Sequence, residues 1–314
     1  MKNIFCVGGA TIDHKLIPIN TLITGTSNLV KSHTTFGGVA RNVAENLAHW
    51  TQNINLQCVV GDDIHGKNLL NHAQSLGINI DACLILANQH TAHYYAVLTE
   101  KGNLHVALAD MNIYDNIFQS FLVAAWDKWQ PHDIIFIDTN LPKDILKYVI
   151  NFAAEKQLQL CVDPVSVMKA NKLPISLHGI FLLKPNKLEA AALTNTSINS
   201  ITDCIQAGKT LQQRGAENIV ISLGEEGYVI VNAQHATHVS IQANKHMVDA
   251  NGAGDAFVAG ILYGLQQQKD LNYACELGAT AAAMTIQSEK TVLDTITPDH
   301  LMRNNMKATY ATIF

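Results

Sequence analysis

Basic residues are scarce and dispersed: Lys and Arg number 21 against 26 Asp and Glu, and the formal net charge is −5. That balance leaves no electrostatic footprint for nucleic acid or for an anionic membrane surface. No stretch reaches the ~18–20 consecutive apolar residues of a membrane span. Gly8-Gly9 and Asp13 interrupt the first apolar residues before the core of a secretory signal could develop, so a cytoplasmic location is expected. The cysteines, Cys6, Cys58, Cys83, Cys161, Cys204 and Cys275, have no C-x-x-C spacing, which argues against a zinc site or a disulfide framework and makes them small core residues. None of the 14 histidines falls in H-E-x-x-H or a tight ligand set, so no catalytic metal cage is expected.

What is present is apolar material in quantity, 48% of 314 residues, enough for a large core. Apolar runs alternate with amphipathic stretches in the manner of repeated βα units. Strands are expected at 4–7, 56–60, 134–137, 160–162, 179–183, 219–223 and 228–231. Helices are expected at 41–51, 66–76, 143–155, 187–193, 201–214, 253–268 and 271–286. The fold class is therefore α/β: a mainly parallel sheet covered by helices on both faces, with a length that fits one large domain or two unequal ones. Two segments break the alternation. Residues 14–36 are rich in Thr, Ser and Asn, while 90–108 read as a β-hairpin turning at Glu100-Lys101-Gly102-Asn103.

The most informative stretch is Val248-Asp249-Ala250-Asn251-Gly252-Ala253-Gly254-Asp255-Ala256-Phe257. Its glycines allow a tight turn with bare N–H groups, and the apolar residues that follow continue as a helix whose N-terminus favours an anion. A carboxylate in that first turn, Asp255, would repel phosphate unless it served to accept the proton of an attacking hydroxyl. A second glycine turn, Phe36-Gly37-Gly38, runs into a helix carrying Asn42. Upstream, Ile4 to Val7 leads through Gly8-Gly9 to Asp13, at the end of a strand where parallel sheets place their sites. Asp13 and Asn42 could together bind a pair of sugar hydroxyls. Gly61-Asp62-Asp63-Ile64-His65-Gly66-Lys67-Asn68 mimics a P-loop, but two acidic residues inside it and Asn in place of Ser/Thr argue for an ordinary βα turn with Asp63 near the helix cap.

The GG-x-x-x-N and D-x-x-GAGD motifs, with Lys184-Pro185-Asn186-Lys187-Leu188-Glu189 and Val220-Ile221-Ser222-Leu223-Gly224-Glu225-Glu226-Gly227 between them, resemble the PfkB/ribokinase family of carbohydrate and nucleoside kinases along the whole chain. Ala250 departs from the pattern, since many members have Thr there. Residues 91–98, 109–114, 163–170 and 281–289 most resemble the pseudouridine kinase branch. Adenosine, inosine, ribose and fructose stay open as acceptors, and so does a catalytically silent sugar or nucleoside sensor.

The resemblance implies a single ribokinase-like domain over 1–314 with a small β lid from 14–36 and 90–108, through which two copies could pair. It implies transfer of the ATP γ-phosphoryl group, with Mg2+, to the 5′-hydroxyl of a nucleoside, pseudouridine foremost. Asp255 is then the base, and the N–H groups of Gly252, Ala253 and Gly254 receive phosphoryl charge. Asp13, Gly38, Asn42, Asn140 and Lys169 face the substrate. Asn186, Ser222, Gly224, Gly227 and Asn251 line the nucleotide side, Glu189 joins Asn186 in the outer shell of magnesium, and Asp249 is a candidate for a monovalent cation such as K+.

Overall fold

The computed structural model describes residues 2–126, 129–241, 247–303 and 309–312. β1 (Ile4–Val7) ends at Gly8-Gly9, where the backbone swings out of the sheet into β2 (Thr11–Pro18); β3 (Val30–Gly37) returns antiparallel to β2 and runs into α1 (Val39–Trp50). β4 (Ile54–Gln57) lies parallel to β1, with Ile4 opposite Ile54. The apolar run expected as one strand over 56–60 divides here. The ladder to β1 ends where Gly8 N–H donates to the Gln57 carbonyl, so β5 (Val59–Gly61) takes a new partner beyond α2 (Ile64–Ser75), pairing in parallel with β6 (Leu84–Leu86). Asp63 caps α2 by accepting from the Gly66 N–H at 2.8 Å, so the P-loop mimic is a capped βα turn.

β7 (His93–Leu98) and β8 (Leu104–Asp110) form the expected hairpin, closed by Thr99 and Asn103. β7 also pairs in parallel with β2, giving a four-stranded lid in the order β3-β2-β7-β8. The lid strands span 11–37, a little wider than the expected 14–36, and 93–110, shifted by two to three residues from 90–108. Alternation along β2 decides its two faces. His14 stacks on Tyr95 with ring centroids 4.6 Å apart, while Asp13 and Lys15 point the other way, toward the main domain.

The rest of the chain builds the main sheet and its cover. In order these are α3 (Gln119–Trp126), β9 (Ile134–Asp138), α4 (Lys143–Lys156), β10 (Gln159–Asp163), α5 (Val167–Ala170), β11 (Leu182–Leu183), α6 (Lys187–Thr194) and α7 (Ile201–Gln213). β12 (Asn218–Ser222), β13 (Tyr228–Asn232), β14 (Ala236–Ser240), α8 (Ala253–Gln266), α9 (Leu271–Thr285), α10 (Pro298–Arg303) and β15 (Thr309–Thr312) complete it. The sheet runs β15-β14-β13-β12-β11-β10-β9-β1-β4, parallel from β4 to β12 and antiparallel beyond. The expected strand over 179–183 shrinks to Leu182–Leu183. It carries the sheet between longer neighbours; ahead of it Ile180 N–H turns back to the Leu177 carbonyl, while Phe181 N–H donates to Leu160 on β10 and the Phe181 carbonyl accepts from Asn218 of the strand on its other side.

Strand β9 is buried along its whole length and feeds both cores. Ile134 and Phe136 pack with α1, α8 and α9, whereas Ile135 and Ile137 pack with α4 and α7. A strand buried on both faces reads as an unbroken apolar run, as Ile-Ile-Phe-Ile does here. The first charged residue after such a run sits at the carboxyl edge of the sheet, and that edge holds Asp138 and Asp163.

Candidate active site

The start of α8 is shaped by its glycines. Asp249 Oδ1 accepts from the Asn251 N–H at 3.0 Å, bending the chain, and Gly252 then caps the helix at φ 80°. A Cβ on Gly252 would lie 2.0 Å from the Thr291 carbonyl, so no other residue fits without moving that loop. Gly252 brings no side chain to the cap, which leaves first-turn N–H groups to attract an anion. At Gly254 the nearest atom to an added Cβ is Lys184 Nζ at 3.9 Å, so an ammonium stands beside the open turn.

Asp255 occupies the third position of this helix. Burial pushes its carboxyl up to about 7, the Asn42 hydrogen bond pulls down, Asp163 pushes further up, and Lys184 pulls down. Asn42 Nδ2 donates to Asp255 Oδ2 at 2.8 Å. Asn42 is delivered by α1, whose cap Gly38 has φ 93°; a Cβ there would stand 2.4 Å from the Gly9 carbonyl, so the helix start can press against the end of β1. The two glycine turns, 213 residues apart, therefore meet through one hydrogen bond.

Asp13 and the pair Asn140–Lys169 flank this junction. Asp13 accepts from Thr11 Oγ1 at 2.6 Å and sits over Gly37, where a Cβ would be 2.0 Å from its carboxyl. Burial raises the Asp13 carboxyl, and Thr11 and Arg41 act against that. Lys169 Nζ donates to Asn140 Oδ1 at 2.6 Å and lies 3.5 Å from Met111 Sδ. It is held against the domain, and burial lowers its ammonium despite the nearby Asp138.

Several groups that shape the site were not singled out by the sequence reading. Asp138, fully buried, accepts from the N–H of Gly9 at 2.8 Å, of Ala40 at 3.0 Å and of Asn140 at 2.9 Å, tying β1, α1 and β9 together. Lys184 pairs with Asp163 at 3.1 Å, both side chains under 10% exposed. Burial alone would lower the Lys184 ammonium, but Asp163, Glu189 and Asp255 outweigh it and raise it. Tyr94 lies opposite Asp13 in the lid register, and burial with Asp13 raises its hydroxyl. Asp138 and Asp163 carried a signal, since each is the first charge after an apolar strand.

On the other side of the turn, Ser222, Gly224 and Gly227 line a cavity of about 250 Å³ together with Ala253, Gly254 and Phe257. Its far wall is apolar: Ile241, Met247, Ala279, Ala282 and Ile286. Asn251 and Asn186 lie outside that lining. Asn186 and Glu189 close a capping box on α6, with Asn186 Nδ2 and N–H donating to the two Glu189 oxygens at 2.8 and 2.9 Å. Both oxygens being engaged, Glu189 suits an outer-shell part in holding magnesium. Among the described residues no group of three or more His, Cys, Asp and Glu could hold a metal ion directly. Asp249, the candidate for a monovalent cation, accepts from Lys15 Nζ through Oδ2 at 2.8 Å and from the Asn251 N–H through Oδ1.

A helix start open to anions thus lies between an apolar slot and a polar chamber floored by a carboxylate, the division of labour of a phosphotransferase that acts on an alcohol. The chain belongs to the pfkB family of carbohydrate kinases, whose pattern matches residues 1–298. It is 32% identical to pseudouridine kinase of Escherichia coli (strain K12) over 255 residues, 81% of each chain. It is 28% identical to guanosine-inosine kinase of Exiguobacterium acetylicum over 292 residues, 92% of this chain and 95% of that one. The crystal structure of ribokinase from Thermotoga maritima shares the fold, with a TM-score of 0.82 and 18% identity over 96% of this chain and 99% of that one. The fold is ribokinase-like, and the protein is a phosphotransferase acting on a sugar or nucleoside hydroxyl.

Proposed function

We propose that the acceptor is a nucleoside, pseudouridine foremost, phosphorylated at its 5′-hydroxyl by the γ-phosphoryl group of ATP. The observation that carries this reading is Asp255: a buried carboxyl poised to about 7, in the same first helix turn as an open anion site and hydrogen-bonded to Asn42. A base must lose and regain a proton near working pH, and this environment brings a carboxyl there. A silent sensor has no use for such a group.

In the proposed reaction Asp255 accepts the proton of the acceptor hydroxyl as its oxygen bonds to the terminal phosphorus. The bond from that phosphorus to the leaving nucleotide oxygen breaks in line. The N–H groups of Gly252, Ala253 and Gly254, with Lys184 beside them, meet the charge on the transferring oxygens. Asp13, Gly38 and Asn42 hold the sugar, and Lys169 and Asn140 hold the far end of the acceptor. Tyr94, next to Asp13, offers an aromatic surface to a flat base, which favours a nucleoside over a bare sugar. The apolar cavity, of a size and lining suited to a purine, takes the donor base, with Ser222, Gly224 and Gly227 at its edge. Asn251 shapes the turn through Asp249. Asn186 and Glu189 would hold magnesium through water, and the ion would supply charge neutralisation between the donor phosphates.

Two copies pairing through the lid fit the reading. Strand β8 exposes Leu104, Val106 and Leu108 at 58%, 41% and 57%, an apolar edge that a second lid would cover. The free cysteines suit the reducing cytoplasm, where ATP is abundant.

The test is ATP-to-ADP turnover with magnesium across pseudouridine, uridine, adenosine, inosine, ribose and fructose, with the product identified by mass. Preference for pseudouridine supports the assignment. Preference for inosine would move the acceptor toward that of the guanosine-inosine kinase relative, and binding without turnover for every acceptor would sink the kinase reading for this chain.

A further inference from the structure

Arg41 stands immediately before Asn42 and is itself almost wholly buried, at 4% exposure. Its Nη1 donates to the Phe36 carbonyl and to Asn42 Oδ1, each at 2.8 Å, and its Nη2 pairs with Glu45 one turn along α1. A guanidinium carries donors only. Whatever amide atom faces Arg41 must therefore be the oxygen, and the NH2 group is left to face Asp255. Without Arg41 the Asn42 amide could rotate by half a turn and present its oxygen to Asp255, a partner suited to the protonated acid.

We propose that Arg41 is a positioning residue which, anchored by Glu45 and Phe36, fixes the hand of the Asn42 amide so that it always donates to Asp255. The relay runs Glu45, Arg41, Asn42, Asp255 and spans one helix face to the reacting carboxyl. A donor held against Asp255 favours its ionised form, the one that can accept a proton. The other charged groups around Asp255 are Asp163 at the end of β10, Lys184 after β11 and Asp138 at the end of β9. Arg41 also faces Asp13 on β2 and feels the charge of Asp255 itself, a direct effect that Arg41→Lys retains, and the buried Cys58 thiol lies near it. Of these, Lys184 shares the direction of the Arg41 effect, and its ammonium pairs with Asp163 rather than with Asn42.

This inference rests on Asp255 being the base, so the experiment separates the two. The pH dependence of kcat is measured for the wild type, Arg41→Gln, Arg41→Lys and Asp255→Asn, with the KM for ATP followed in each. Arg41→Gln is expected to move the acid limb upward by about one pH unit. That lowers turnover roughly tenfold below the limb, and it recovers to near wild type at alkaline pH with the KM for ATP unmoved. Arg41→Lys keeps the charge but has no fork to serve Phe36, Glu45 and Asn42 together, so a smaller shift in the same direction is expected. Loss of packing alone would lower activity at every pH and leave the limb in place. If Arg41→Gln does not fold, Arg41→Lys decides. An unmoved limb with an inactive Asp255→Asn variant overturns the role of Arg41, whereas undiminished turnover by Asp255→Asn removes the base and the relay with it.

Discussion

The two sides of the glycine turn are built on opposite principles. On the acceptor side nearly every group is polar, buried and already hydrogen-bonded: Asp138 to three N–H groups, Asn42 to Arg41 and Asp255, Lys169 to Asn140. On the donor side a cavity of about 250 Å³ is walled by Ala, Ile, Met and Phe. A polar network held by its own bonds selects by the geometry of hydroxyls, because a misplaced partner leaves a buried group unpaired. An apolar slot selects by shape and tolerates variation within it. On the proposed assignment of the two sides, the molecule keeps its strictness for the acceptor.

Substitutions that act on one side alone would sharpen that contrast, and those that cross it would break it. Asp255→Asn stands at the junction and is expected to cost ~10³-fold in kcat while leaving ATP binding by calorimetry unchanged. The same variant reads out stability. The folded-state carboxyl is raised to about 7, above its unfolded value, so the folded state holds a proton that the unfolded chain has lost, and stability falls as pH rises from about 4 to 7. Asp255→Asn should therefore raise the melting temperature at pH 8 and do so much less at pH 4, a difference that differential scanning calorimetry would show or refute. The pH–rate profile has the opposite sign, with kcat climbing as pH passes through about 7.

Ala282→Leu, which fills the slot, should raise the KM for ATP roughly tenfold with the acceptor KM constant, since lost room for a ligand ring costs of the order of a methylene contact or two. Lys169→Met should do the reverse, raising the acceptor KM about tenfold through one charge-assisted bond while sparing that for ATP. If either change moved both constants together, the division between the sides would fail. The smallest effect is expected from Lys15→Ala, about two- to fivefold on the acceptor KM and fading at high salt, because the partly exposed pair to Asp249 is screened.

Legibility in the sequence followed the physics of each region. The strands buried on both faces and the glycine turns before helices were plain, because each is written in consecutive residues. Asp255, Gly252 and Asn42 were found that way. The bond between Asn42 and Asp255 was not legible, since it joins positions 213 apart. Asp138, Asp163 and Lys184 were passed over because a lone charge after a strand looks like any loop residue until its partners are known. The short β11 and the turn-away of β5 escaped for a related reason: pairing depends on where neighbouring strands end. Asp249 shows the same limit, since its engagement by Lys15 comes from the lid, a segment that sequence alone marks only as polar.

That ion pair between Lys15 of the lid and Asp249 ahead of the turn has a consequence in time. A partly exposed pair contributes at most ~1 kcal/mol, which changes the ratio of closed to open by about fivefold. A latch of that size biases the lid toward the main domain without locking it there. A phosphorylated product would meet a door that opens of its own accord.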